Sequence, residues 1–159
     1  MKYRHILISL GLGAALLSGC GGNSDGGGDT IVGTWHKSCY LPNGSDQYHT
    51  TDFIARANNT GHTKKTYYAS EDCSVIENAK EWDFTYTVGA KTVGDDGKET
   101  YELDQSGGTG EGAWEYYTMF RFLDNGNLLT AGTSDTRDAS SEAQRANHFA
   151  ENWTGSTRK

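Results

Sequence analysis

The sequence predicts an all-β domain of about eight antiparallel strands in hairpin order, closing as an up-and-down barrel, with a β-sandwich as the alternative. Three observations predict it. Short runs rich in Thr, Tyr, Val, Ile, Phe and Trp are separated by Gly, Asn and Asp, with little helical periodicity. Period-two alternation is clear from Trp114, where Trp114, Tyr116, Thr118, Phe120 and Phe122 share one face and Glu115, Tyr117, Met119, Arg121 and Leu123 the other. Three connections carry hairpin chemistry. Left open, one sheet of that size would expose its edges, so closure is expected.

In chain order, strands are expected at Ile31 to Cys39, His49 to Ala57, His62 to Ala69, Trp82 to Val93, Glu99 to Asp104, Trp114 to Leu123, Asn127 to Gly132 and His148 to Thr154. Asn58-Asn59-Thr60-Gly61 joins the second and third. Gly94-Asp95-Asp96-Gly97 joins the fourth and fifth, and Asp124-Asn125-Gly126 the sixth and seventh. Phe84, Tyr86 and Val88 alternate with Asp83, Thr85 and Thr87, so the fourth strand also has one apolar face. Asp135 to Asn147 breaks the pattern. It reads as one or two helical turns with Asp138 as N-cap, or as a polar loop.

Ahead of the strands stands an export signal. Lys2 and Arg4 form a basic n-region and Ile6 to Leu17 an apolar h-region. Ser18 and Gly19 are the small residues before Cys20. An apolar stretch of about a dozen residues is short for a membrane span. Leu17-Ser18-Gly19-Cys20 resembles the lipobox of bacterial lipoproteins. The resemblance implies cleavage after residue 19 and lipidation of Cys20, and, if the organism is Gram-negative, Gly21 in place of Asp implies the outer membrane, facing the periplasm. Residues 20–29 then make a lipidated cysteine and a Gly-rich tether, with a reach of about 15–20 Å. Residues 30–159 make a single domain.

The mature chain would carry 12 basic and 21 acidic side chains, a formal charge of −9. That balance disfavours nucleic acid as a partner and repels anionic headgroups, so the acyl chains provide membrane attachment. With Cys20 lipidated, Cys39 and Cys73 remain as an even pair in an oxidising compartment. They lack C-x-x-C or Cys/His ligand spacing and read as a structural disulfide.

Gly33-Thr34-Trp35, in the first strand, resembles the G-x-W motif of the lipocalin and calycin superfamily. The resemblance implies an eight-stranded barrel with Trp35 across its base, beneath an arginine from the last part of the chain. Arg145 is the candidate, with Arg121 as substitute. No T-D-x-x-Y motif stands between the sixth and seventh strands.

The aromatic residues Phe84, Tyr86, Trp114, Tyr116 and Phe120 are the candidate ligand-contacting set. Tyrosine offers an apolar ring and a polar hydroxyl to an amphipathic guest. His36, His49, His62 and His148 show no metal-sharing spacing, and the Asp95-Asp96-Gly97 and Asp124-Asn125-Gly126 loops lack the oxygen pattern of a calcium loop. No G-x-S-x-G, H-E-x-x-H or P-loop pattern occurs. The expectation is a non-enzymatic envelope lipoprotein without metal or cofactor that binds a small apolar or amphipathic molecule. The alternative is a filled barrel that binds another envelope protein through Leu41 to Gln47.

Overall fold

The computed structural model describes residues 31–42, 45–149 and 153–159. The signal segment, Cys20 and the Gly-rich tether lie outside the described residues. Eight strands form one antiparallel sheet: β1 (Gly33–Tyr40), β2 (Tyr48–Ala55), β3 (Thr60–Tyr68), β4 (Ile76–Val93), β5 (Glu99–Gly107), β6 (Trp114–Phe122), β7 (Leu128–Thr130) and β8 (Thr157–Arg158). Their order in the sheet is β7-β6-β5-β4-β3-β2-β1-β8, a meander whose last strand returns to the first. Ser156, just ahead of β8, exchanges two backbone hydrogen bonds with Leu128 of β7, at 2.9 and 2.7 Å. The C-terminal segment thus bridges the two edges and brings the sheet to a nearly closed barrel. One continuous sheet, rather than two facing ones, sets the barrel apart from the sandwich.

The three hairpins share one geometry. In each, a turn ends on a residue of positive φ: Asn59 (61°), Gly97 (77°) and Gly126 (79°). The amide of that residue donates back across three positions, to Arg56, Gly94 and Leu123 respectively. This is the three-residue loop with a left-handed closing residue, whose twist suits antiparallel strands.

β4 begins at Ile76, six positions before the alternation at Trp82 suggests. Residues 76–81 are exposed, so burial leaves no period-two signature there, yet their backbone pairs along β3 from Tyr68 to Lys64. The eighth strand is also displaced. Residues 150–152 of the expected strand lie outside the described residues; His148 makes a single bridge, to Gly132, and the strand that closes the barrel is Thr157–Arg158. Residues 131–149 are instead used to cover the outside of the barrel.

The core has two layers. Inside the barrel, Ile31, Trp35, Ala55, Phe84, Tyr86, Leu103, Phe120 and Leu128 form one buried cluster. The Phe84 ring lies on Gly61, where a Cβ would come within 2.1 Å. Outside, Met119, Leu129, Ala131 and Phe149 form a second cluster, with Leu123 and Trp153 against it. Ala139 and Ala146 clip the covering loop to the free edge of β6: the Tyr117 amide donates to Ala139 and the Ala146 amide to the Tyr117 carbonyl, at 3.0 and 2.9 Å. The loop thereby covers an edge the three-residue β7 is too short to pair. Its helical content is one 3-10 turn, Glu142–Gln144. Asp138 accepts from the Ser140 amide at 3.0 Å in a local turn and does not cap that helix.

Candidate functional site

Gly33 and Trp35 stand at the start of β1. Trp35 is 2% exposed, and its indole Nε1 donates to the Ile31 carbonyl at 2.8 Å. The arginine over its ring is Arg158 of β8, with the guanidinium carbon 5.0 Å from the ring centroid. Its Nη2 donates to the Val32 carbonyl at 2.5 Å, and the guanidinium covers Gly33, whose φ of 152° and lack of a Cβ leave room for it.

Arg145, expected at this base, lies on the outer side of β5 and β6. Its guanidinium pairs with Asp104, approaches Glu102 at 3.8 Å and donates to the Thr118 carbonyl at 3.1 Å. Arg121 is on the outer face too, paired with Asp96 at 2.6 Å and set over the Phe149 ring at 4.3 Å. Strand parity explains both corrections. Arg121 alternates with the inward Phe120 and Phe122, and Arg145 sits on the covering loop. Burial alone would raise the Asp96 carboxyl, but the Arg121 guanidinium and the Lys98 amide hold it below the usual range.

The expected ligand-contacting aromatics separate into two groups. Phe84, Tyr86 and Phe120 are 4%, 4% and 0% exposed and pack within the inner core. Phe84 stacks on Phe53 and Phe120 on Tyr101, and the Tyr86 hydroxyl donates to the Arg56 carbonyl at 2.7 Å. Trp114 and Tyr116 are half-buried. Trp114 borders an open groove of about 860 Å³ where the β5–β6 hairpin leaves β4, together with Asp83, Thr85, Gly107 and Ser140.

At the other end of the inner face, beside the disulfide, strand register builds a polar surface. Three rows cross β1 to β4. The deepest is Trp35–Phe53–Thr63–Trp82, the next Lys37–Thr51–Lys65–Lys80, and the outermost Tyr40–His49–Tyr67–Asn78. Cross-strand partners share a face, so these lysines lie on the same side of the sheet as Trp35. Each ammonium stands over an aromatic ring: Lys37 over Tyr40 at 5.2 Å, Lys65 over Trp82 at 5.9 Å and Lys80 over Tyr67 at 5.8 Å. No carboxylate among the described residues forms an ion pair with any of the three. Burial lowers the Lys37 and Lys65 ammonium groups below the usual lysine range.

His49 sits between Tyr40 and Tyr67 with edge-to-face ring contacts. It is 6% exposed, and neither ring nitrogen has a hydrogen-bond partner. Burial, reinforced by the Lys65 charge, pushes its pKa down to about 4. The other three described histidines pair with aspartates on the outer face: His36 with Asp52 at 2.8 Å, His62 with Asp83 at 2.9 Å and His148 with Asp95 at 2.8 Å. Among the described residues, no three His, Cys, Asp or Glu side chains gather as a metal site.

Cys39 and Cys73 form a disulfide, with Cα atoms 5.9 Å apart. It ties the end of β1 to the β3–β4 connection and so frames the polar end of the barrel. Sequence reasoning missed the lysine row. The available signal was parity: Lys37 is two residues from Trp35, and Lys80 two from Trp82. The chain matches no protein-family model, no curated protein and no solved structure.

Proposed function

We propose that the chain is a lipid-anchored envelope protein with a lipocalin-like barrel that binds a small amphipathic molecule at the disulfide end. The observation that carries this reading is the juxtaposition of half-buried Phe53 and Trp82 with an inward-facing row of polar side chains. An apolar surface passing into a polar rim matches a guest that is itself apolar at one end and polar at the other. Because Phe84, Tyr86 and Phe120 are engaged in packing, the guest is held at the mouth rather than deep among them. Arg158 over Trp35 agrees with the lipocalin-like reading of Gly33-Thr34-Trp35.

A second reading, a protein-binding module, is favoured by one observation. Leu41, Val75 and Ile76 are 45%, 55% and 66% exposed and flank the two cysteines in sequence. Exposed apolar side chains grouped at one end suit a protein partner.

Native mass spectrometry of the full chain, purified from an exporting bacterial host, tests the first reading. A reproducible added mass that is lost on denaturation is the expected result. A bare mass that stays bare when single-chain amphiphiles are added would reject ligand binding and leave the protein-binding module.

A further inference from the structure

We propose that the row Lys37–Thr51–Lys65–Lys80 anchors an oxyanion, the carboxylate or phosphate head of the amphipathic ligand; this rests on the ligand-binding reading above. The chemistry starts from an imbalance. The mature chain would have nine more acidic than basic side chains. Yet three of its ammonium groups stand in one cross-strand row of the inner face without a carboxylate among the described residues to pair them. Lys65 and Lys80 are direct cross-strand partners, an arrangement that like charges destabilise. Lys37 and Lys65 are also partly withdrawn from water, which penalises their charged forms. Aromatic faces compensate in part. A bound oxyanion would supply the missing counter-charge.

A second observation points to the same place. The next row outward holds His49, a buried imidazole with both nitrogens unpartnered. Buried polar atoms normally find a partner. An oxyanion seated beside the lysines would give the imidazole N–H an acceptor. Lys37 has one neutral partner, the Thr154 hydroxyl at 3.2 Å, which leaves its charge unmatched. Below the lysines, the half-buried Phe53 and Trp82 offer apolar surface to whatever is attached to the head. The acidic exterior repels free anions at long range, so a guest held by its apolar part as well has the advantage.

The test titrates the exported full chain carrying Cys20→Ser, so that no acyl anchor competes, with octyl phosphate, octyl glucoside and inorganic phosphate. Binding is read by tryptophan fluorescence and calorimetry. Octyl phosphate is expected to bind at least tenfold more tightly than the other two. Lys37→Met and Lys65→Met should each weaken it about tenfold while leaving octyl glucoside unchanged, and Lys65→Arg should restore it. Thermal unfolding of both Met variants should match or exceed the parent, because an unpaired charge has been removed. Equal binding of octyl phosphate and octyl glucoside, insensitive to both lysines, would overturn the oxyanion site and keep the amphiphile reading. Inorganic phosphate binding as tightly as octyl phosphate would keep the oxyanion site and overturn the amphiphile reading. Binding of none of the three would overturn both.

Discussion

The Arg158 guanidinium lies 5.0 Å from the centre of the Trp35 ring, so the last strand of the chain is locked onto the first by a cation on an indole face. The backbone pairing there is only two residues long, Trp35 with Arg158 and His36 with Thr157. Side chains reinforce it. Lys159 reaches Asp52 on β2 at 2.7 Å, and Asp52 also pairs with His36. Burial opposes ionisation of Asp52, but these two partners hold its carboxyl below the usual range.

Trp35→Ala is therefore expected to destabilise the protein by about 3–5 kcal/mol, the range for deleting a fully buried large aromatic. Arg158→Ala should cost less, about 1–2 kcal/mol for a cation on an aromatic face together with its carbonyl hydrogen bond. Urea unfolding checks both. A Trp35→Ala loss below about 1 kcal/mol would mean that the ring is not buried in the core.

Reduction of Cys39–Cys73 should also destabilise. The bridge spans a sequence separation of 34, for which chain entropy predicts about 3–4 kcal/mol. A Cys39→Ser, Cys73→Ser double variant gives the same comparison without a reductant. Labelling the denatured, unreduced protein with a thiol reagent should find neither cysteine reactive; modification of either would disprove the bridge.

His49 makes a pH prediction with a definite sign. Its pKa falls from 6.5 in the unfolded chain to about 4 in the folded one. Between those values the unfolded state binds more protons, so this residue's contribution to stability is fully present above pH 6.5 and is lost progressively as pH falls toward 4. The loss should be on the order of 1–3 kcal/mol. His49→Phe should flatten the stability profile in that window, while the acid limb set by Asp52 and Asp96 persists below it. Parallel profiles for the parent and His49→Phe would show that the imidazole is not held neutral by burial.

On the lipid-anchored reading proposed above, membrane attachment rests on Cys20. Cys20→Ser should move the protein from the membrane fraction to the soluble periplasmic fraction, read by fractionation and by loss of acyl-chain labelling. Continued sedimentation with membranes would contradict the lipobox reading.

The strands of this protein were legible where one face is buried. Trp114 to Leu123 alternates because its neighbours do: Phe120 meets Tyr101 and Thr130 across the sheet, and Thr118 meets Leu103. Hairpin positions were legible because Asn59, Gly97 and Gly126 tolerate positive φ. Legibility failed where pairing, not burial, holds the strand. Residues 76–81 are exposed and are aligned with β3 by backbone pairing rather than by burial. Thr157–Arg158 is too short to show any period.

By itself, the sequence determined the all-β class, the turn positions and the pairing of Cys39 with Cys73. These are local or nearly so: a side-chain alternation, a permitted dihedral, a parity of thiols. Only the tertiary structure decided that Arg158 rather than Arg145 covers Trp35, and that residues 131–149 form an outer layer. It also decided that Lys37, Lys65 and Lys80 fall in one row. The reason is register. Lys37 and Lys80 are brought into line only through three successive strand pairings, β1 to β2, β2 to β3 and β3 to β4. A slip of one residue in any of them would send a lysine to the outside.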